Sequence, residues 1–367
     1  MRYRWKLAAL ALGASMASVA GAHACGSDGS EPAGFSHGND ASADVFTGSD
    51  AFVWPDADPA PDTGTGPSPG FDAGSDSGSG AAICSGKTGE TGSGIGIEVQ
   101  SGGRTRTSLL HVPDKYDATK GAMLVLNFHG FGSAGWQEAL LSRMSQASDE
   151  RGFLVAYPEG IVTSWNAGDC CGTAWTDSVD DVKFVRDLLD AIAEKWCIDP
   201  KRIYATGMSN GGFLSHRLAC EASDRIAAIA PVAGVLGVEP NLCTPPRPVP
   251  VLHFHGTSDP IVPYGGGTPL VPQLGLGLVF RSVADTLEHW RKHNACSGFA
   301  TPFFENGDTK CVRWPDCKDG VETALCSIDG GGHTWPGGVP IPLAGKTSSD
   351  ISATEAMLDF FEAHPLP

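Results

Sequence analysis

Short apolar runs alternate with longer amphipathic segments from residue 105 onward, and this alternation constrains the fold more than any other feature of the sequence. The apolar runs predict buried strands at 123–128, 153–157, 202–206, 226–232, 249–254 and 321–328. Apolar residues at helical spacing predict helices at 136–150, 179–196, 211–221, 282–293 and 354–363. Such alternation is typical of a mostly parallel sheet with helices on both faces, so we predict one doubly wound α/β domain over residues 84–367.

Residues 1–24 have the composition of an export signal. Three basic residues within the first six precede a short apolar run at 7–20, and the small-x-small triplet Ala22-His23-Ala24 follows. This order is typical of a secretory signal peptide, and the apolar run is too short to span a bilayer comfortably. We therefore predict cleavage before Cys25 and an extracellular or cell-surface location, with a retained transmembrane anchor as the weaker alternative.

Residues 25–83 are predicted to form a disordered spacer. They are dominated by Gly, Ser, Asp, Pro and Ala, with ten acidic residues and no lysine or arginine. Such a stretch cannot bury enough apolar surface to offset the entropy lost on ordering. Cys25, the first residue after the predicted cleavage point, leaves two processing routes open: ordinary secretion, or attachment of a lipid to Cys25 as in bacterial lipoproteins.

The net charge argues against one class of partner. The chain carries a formal charge of −17, of which −10 falls on residues 84–367 once the acidic spacer and the basic leader are set aside. A surface of this sign repels phosphates, so we expect no nucleic acid partner. The charge does not restrict small neutral substrates.

Ten cysteines remain when Cys25 is set aside, and they are expected to form disulfides. An even number of cysteines behind an export signal is typical of an oxidising compartment. Zinc is the alternative, but the spacing of Cys311, Cys317 and Cys326 lacks the tight pairs that zinc sites favour. The sequence does not give the connectivity, although Cys296 and these three lie close enough to pair among themselves.

The predicted strand at 202–206 leads directly into Gly207-Met208-Ser209-Asn210-Gly211, and Gly212 opens the helix behind it. A G-x-S-x-G sequence between a strand and a helix is the nucleophile elbow of the α/β-hydrolase fold. Its glycines permit a sharp turn that exposes the serine hydroxyl at the helix N-terminus. Ser209 is therefore the candidate nucleophile, with a plain structural turn as the alternative.

A serine hydroxyl needs a base to take its proton and a carboxylate to orient that base, in the chain order Ser, acid, His for this fold. Asp259 follows the predicted strand at 249–254 and is the candidate acid. Asp180 and Asp181 are rivals, but they precede Ser209 and break the order. His333, in a glycine-rich loop after the last predicted strand, is the candidate base.

Ester hydrolysis passes through an oxyanion that needs hydrogen-bond donors near the nucleophile. We expect one from the backbone N–H of Asn210. The other is expected from the loop after the strand at 123–128, where Phe131 N–H is the candidate. A simple tight turn fits the same residues.

With these residues placed, the chain resembles the esterase family that includes polyhydroxybutyrate depolymerases and the feruloyl and acetylxylan esterases of carbohydrate esterase family 1. The resemblance covers most of residues 84–367, and it rests on the segments 129–132, 170–172, 179–182, 207–212, 255–260 and 331–338. It implies secreted hydrolysis of carboxylic esters through an acyl-serine intermediate, without a metal or organic cofactor. It also implies the triad Ser209, Asp259 and His333, with Phe131 and Asn210 as oxyanion donors.

The resemblance leaves the ester open, because the family divides between plant cell-wall esters and bacterial polyesters. We expect a feruloyl or acetyl ester of cell-wall polysaccharide, with a polyester oligomer as the alternative. The loops 261–278 and 335–348 flank the proposed acid and base, so acyl specificity is expected there. Trp165, Trp175 and Trp335 are candidates to stack on a phenolic ring or sugar, with core packing as the alternative for at least one.

Two further functions use the same residues. A serine peptidase shares the catalytic machinery, and a cell-surface binding protein could retain the fold without catalysis. The presence of every triad residue type favours an enzyme over the binding protein.

Overall fold

The computed structural model of the chain describes residues 83–270 and 278–367. The predicted leader, Cys25 and all but the last residue of the predicted spacer lie outside the described residues. So do residues 271–277, which belong to one of the two predicted specificity loops.

Ten strands form one mixed sheet in the described part of the chain. In sheet order they run β1-β2-β4-β3-β5-β6-β7-β10-β9-β8. The six central strands, β4-β3-β5-β6-β7-β10, are parallel. An antiparallel pair flanks them at each end. The strands are β1 (Gly92–Ser101), β2 (Arg104–Val112), β3 (Ala122–Phe128), β4 (Leu154–Pro158), β5 (Ile198–Met208), β6 (Ile229–Val232), β7 (Val251–Gly256), β8 (Thr301–Asn306), β9 (Thr309–Trp314) and β10 (Thr323–Ile328).

Helices cover both faces of this sheet and enclose two hydrophobic cores. One core holds residues of α4, α5 and α6, and the other holds residues of α2 and α7. Strand β3 serves both, since Leu124 and Leu126 face the first core while Met123 and Val125 face the second. The helices are α1 (Gly135–Ser142), α2 (Met144–Arg151), α3 (Gly172–Thr176), α4 (Asp181–Lys195), α5 (Asn210–Glu221), α6 (Val283–His293) and α7 (Ala353–Ala363).

This architecture confirms the predicted doubly wound α/β fold and corrects several elements. The helix predicted over 136–150 is two helices, because Arg143 between them has a φ of 55°. Both antiparallel end pairs were missed: β1 is rich in glycine, and β8 is exposed along nearly all of its length. No helix in the described residues is long and apolar enough to cross a membrane.

The ten cysteines of the described part form disulfides, which confirms that prediction and supplies the connectivity. The pairs are Cys84–Cys197, Cys170–Cys171, Cys220–Cys243, Cys296–Cys317 and Cys311–Cys326. The last four cysteines along the chain do pair among themselves. Cys84, near the start of the described chain, is thereby fastened beside the first residue of β5.

Asp181, the rival catalytic acid, is occupied in a buried ion pair. One carboxylate oxygen accepts a hydrogen bond from Arg106 Nη2 at 2.7 Å, and the other accepts from the backbone N–H of Asn166 at 2.7 Å. The guanidinium carbon of Arg106 also lies 3.9 Å from the ring centre of Phe184. Burial raises the pKa of Asp181 despite the opposing charge of Arg106. The pair fastens β2 to the N-terminus of α4.

Asp181→Ala is expected to lower the free energy of unfolding by about 3–5 kcal/mol, because it leaves the buried guanidinium of Arg106 without its partner. Asp187→Ala on the same helix is the matched control. It removes the half-buried partner of the exposed Lys183, at 2.7 Å, and is expected to cost about 0–1 kcal/mol. Urea unfolding at neutral pH measures both, and equal losses would contradict the assignment.

Candidate active site

Ser209 lies in a sharp turn between β5 and α5. Its φ of 55° and ψ of −123° lie outside the usual regions for a residue with a side chain. The backbone holds it there: Ser209 N–H donates to Val232 O, and Ser209 O accepts from Phe213 N–H, each at 2.9 Å. A Cβ atom at Gly207 or Gly211 would overlap the carbonyl oxygen of Phe128. Only glycine at these positions lets β3 approach the turn.

Asp259 and His333 meet because β7 and β10 are adjacent, parallel and in register. Gly256 at the end of β7 lies opposite Ile328 at the end of β10, so the two following loops leave the sheet side by side. His333 Nδ1–H donates to Asp259 Oδ2 at 2.7 Å. This bond leaves His333 Nε2 as the ring nitrogen that can accept a proton.

The carboxylate of Asp259 is buried but well supplied with donors. Its Oδ1 accepts the backbone N–H groups of Ile261 at 2.8 Å and Val262 at 2.9 Å. Burial alone would raise its pKa, but His333 and His255 outweigh that effect and hold the pKa of Asp259 well below its usual range. Asp259 is therefore an anion that fixes the orientation of His333.

Ser209 and His333 line one cavity of about 210 Å³. No hydrogen bond joins Ser209 Oγ to the imidazole among the contacts of the described residues. Such bonds are often long in unliganded sites and tighten when substrate binds. The structure thus brings the three predicted side chains to one edge of the sheet, with the acid and base in contact and the serine on the wall of the same cavity.

The cavity walls are mostly apolar. A neighbouring cavity of about 360 Å³ shares Phe213 and Phe280 with it but contains none of the three predicted catalytic side chains. The cavity that contains Ser209 and His333 is lined by Gly130, Phe131, Ser133, Glu138, Leu141, Cys170, Cys171, Gly172, Met208, Ser209, Phe213, Ile261, Val262, Pro269, Leu278, Phe280, His333 and Ile341.

The two predicted oxyanion donors belong to segments that adjoin Ser209. Asn210 is the first residue of α5, and its side chain is fixed by hydrogen bonds with both backbone groups of Trp165. A Cβ at Gly130 would lie 3.4 Å from Ser209 Cβ, so the loop that carries Phe131 passes close to the nucleophile. The backbone N–H groups of Asn210 and Phe131 make no hydrogen bond to any described residue.

The structure contradicts the predicted substrate contacts of Trp165 and Trp335. Trp165 is fully buried, and its indole N–H donates to His129 O at 2.9 Å. Trp335 is 1% exposed and donates to Thr354 Oγ1 at 3.0 Å. Neither lines the cavity, because each indole has its face in the core and its N–H satisfied there. Trp175 is exposed, but it does not line the cavity either.

Two buried histidines on β7 stand behind Asp259. His255 Nε2–H donates to Val262 O at 2.8 Å and lies 3.5 Å from Asp259 Oδ2. With that proton placed, His255 Nδ1 accepts from His253 Nε2–H at 3.0 Å. His255 therefore supports both the carboxylate and the loop that binds it.

A third histidine continues this row into the core. Trp290 Nε1–H can only donate, so His216 Nδ1 accepts it at 3.0 Å, and the proton of His216 is on Nε2. Burial lowers the pKa of His216 to about 3 and that of His253 well below its usual value, so both rings are neutral. Their centres lie 5.7 Å apart, and His216 Nε2 and His253 Nδ1 have no partner in the described residues.

Glu138 is a cavity residue that sequence reasoning missed. It lies on α1, is 1% exposed, and its Oε1 has no hydrogen-bond partner in the described chain. Burial raises its pKa to about 8. The sequence pattern points the other way: the apolar residues Trp136 and Leu140, four positions apart, mark a different helix face as buried, yet both are exposed.

Glu138 should make stability fall as the pH rises. The folded chain keeps a proton that the unfolded chain releases above its ordinary pKa of 4.5, so stability is lost progressively between about pH 5 and pH 8. Relative to the wild type, Glu138→Gln should gain on the order of 3–4 kcal/mol across that range. Urea unfolding at several pH values measures the difference. Exposed Glu150→Gln should follow the wild type; a parallel course for Glu138→Gln would contradict the buried acid.

Three known proteins are similar to this chain in sequence. No family model matches the chain. It is 38% identical over 237 residues to feruloyl esterase B of Piromyces equi, covering 62% of this chain and 42% of that protein. It is 31% identical over 282 residues to the putative esterase NocK of Nocardia uniformis subsp. tsuyamanensis, covering 72% and 81%. It is 27% identical over 233 residues to the bifunctional acetylxylan esterase/xylanase XynS20E of Neocallimastix patriciarum, covering 61% and 31%.

The chain thus spans less than half the length of two of these relatives. Among solved structures, it is similar to the acetyl xylan esterase from Aspergillus awamori, with a TM-score of 0.51 and 15% identity. That match covers 73% of this chain and 99% of the other. At this identity, the structural likeness concerns the fold alone.

Proposed function

We propose that this chain, which belongs to the α/β-hydrolase esterase family, hydrolyses carboxylic esters through an acyl-serine intermediate on Ser209. The observation that carries the proposal is the Asp259–His333 hydrogen bond at 2.7 Å beside a cavity that also contains Ser209. An oriented imidazole and a serine held in a strained turn on the cavity wall are the parts that acyl transfer requires.

The proposed reaction uses each group in turn. His333 Nε2 removes the proton of Ser209 Oγ as the oxygen attacks the ester carbonyl carbon. The N–H groups of Asn210 and Phe131 stabilise the oxyanion that forms. The imidazolium then protonates the leaving alcohol, and the acyl group stays on Ser209. Water, deprotonated by the same imidazole, attacks the acyl-serine. The imidazolium returns that proton to Ser209 Oγ as the bond between the acyl carbon and Oγ breaks, which releases the acid. Asp259 stays ionised and stabilises the imidazolium in both halves.

The proposed substrate is a feruloyl or acetyl ester of plant cell-wall polysaccharide. The similarity to feruloyl esterase B and to the acetylxylan esterase/xylanase supports this choice. The apolar wall built by Phe213, Ile261 and Phe280 offers a surface for an aromatic acyl group. A polyester oligomer is the alternative substrate, since the same wall also suits a short aliphatic acid.

We further propose that residues 84–367 are the catalytic domain, behind a leader at 1–24 and a spacer at 25–83, and that the enzyme acts outside the cell. Five disulfides in the described chain support an oxidising compartment. Lipid attachment at Cys25 is a second processing route within this proposal.

A fluorophosphonate probe is expected to label the protein at Ser209, because an activated serine attacks phosphorus as it attacks an ester carbonyl. Ser209→Ala should abolish labelling, whereas Ser297→Ala, an exposed serine elsewhere, should leave it intact. Mass spectrometry of the labelled peptide locates the adduct. Undiminished labelling of Ser209→Ala, or none of the wild type, would refute the esterase and favour a binding protein.

Asp259→Asn is expected to lower kcat on p-nitrophenyl acetate by about 10³–10⁴-fold, because an amide does not hold the tautomer that His333 needs. Far-ultraviolet circular dichroism checks that the variant folds. Methyl ferulate, hydroxybutyrate oligomers and a peptide amide, assayed in parallel with the wild type, separate the proposed substrate from polyester and peptide hydrolysis. A folded Asp259→Asn with near-normal kcat would remove Asp259 from the mechanism.

A further inference from the structure

We propose that the carboxyl group of Glu138 binds a hydroxyl group of the ester substrate inside the cavity that contains Ser209 and His333. This inference rests on the proposed function and adds a specificity-determining residue to it. The supporting observations are the position of the side chain, its unmatched oxygen and the chemistry of the protonated acid.

Glu138 lines the same cavity as Ser209 and His333, and the apolar residues Leu141 and Ile341 also line it. The residues from the loop after β7 that line this cavity, Ile261 and Val262 among them, are apolar. A carboxyl group in such a setting loses its hydration and gains nothing from the walls around it.

The protein supplies no partner for that carboxyl group. Glu138 Oε1 is buried and makes no hydrogen bond to the described residues. Hydroxyl groups on this side of the fold are used elsewhere: Ser133 donates to Gln137 at 3.1 Å, and Tyr157 pairs with Ser145 at 2.8 Å. An unmatched buried oxygen is costly, so a group that can bond to it gains affinity when it enters.

The protonation state of Glu138 determines which chemical groups of a ligand it can bind. Burial raises the pKa of Glu138 to about 8, so at neutral pH the carboxyl group carries its proton and presents one donor and one acceptor. An alcohol or phenol hydroxyl also donates and accepts, and it matches this group without bringing a charge into the cavity. A hydroxycinnamic acid and a hydroxyalkanoic acid both carry such a hydroxyl, and they belong to the two substrate classes already considered.

The experiment compares two ester pairs that differ by one hydroxyl: methyl 4-hydroxycinnamate against methyl cinnamate, and methyl 3-hydroxybutanoate against methyl butanoate. For each pair, the measured quantity is the ratio of the two kcat/KM values. Glu138→Met removes the bonding atoms at similar length, whereas Glu138→Gln keeps an uncharged donor and acceptor. Glu138→Ala replaces the Met variant if that variant folds poorly. Leu140→Met, exposed on the same helix, is the matched control.

Glu138→Met is expected to lower the ratio about tenfold in one pair, the value of one hydrogen bond, while Glu138→Gln keeps it within about threefold. The pair that responds identifies the hydroxyl that Glu138 binds. Ratios unchanged in both pairs, with all four esters hydrolysed by the wild type, would overturn the role of Glu138 and leave the esterase intact. A wild type that hydrolyses none of them and resists the fluorophosphonate probe would instead refute the esterase, and the inference with it.

Discussion

In-register parallel pairing of β5, β6, β7 and β10 is the constraint on which the proposed site depends. Parallel strands end at the same edge of a sheet, so loops far apart in sequence emerge as neighbours. Ser209 follows β5, Asp259 follows β7 and His333 follows β10. Gly256 opposite Ile328 sets the acid and base within hydrogen-bond distance. A slip of one residue between β7 and β10 would turn alternate side chains to the wrong face and separate this pair.

Much of this arrangement could be predicted from sequence because the central strands are continuous apolar runs and the elbow has a strict local pattern. Strand β8 could not be predicted, since it is exposed along nearly all of its length. Strand β1 does alternate between apolar and small or polar residues over 95–100, but its glycines weaken the signal of a strand. Aromatic residues gave misleading evidence: nothing in the sequence around Trp165 tells whether its face meets the core or a cavity. The setting of Glu138 depends on tertiary packing of α1, which a single helix pattern does not determine.

Two carboxyl groups differ in protonation because their surroundings differ: Glu138 lines the cavity, whereas Asp259 lies behind His333. Asp259 receives two backbone N–H groups and the imidazole of His333, which stabilise its anion. The carboxyl group of Glu138 receives no hydrogen bond from the described chain, and burial raises its pKa so that it stays protonated. Environment, and not residue type, therefore divides the two roles: one group orients a base, and the other is suited to bonding with a neutral ligand.

The row of histidines behind Asp259 has a single polarity. It starts at the indole N–H of Trp290. The assigned N–H of His253 donates to His255, and that of His255 donates to Val262 O beside Asp259. Turning one ring over would set two protons or two lone pairs against each other. No hydrogen bond joins His216 to His253 in the described chain, so the row between the core and Asp259 is interrupted at these two rings. Proton transfer in the proposed reaction is therefore expected on the side of Asp259 that carries the 2.7 Å bond to His333.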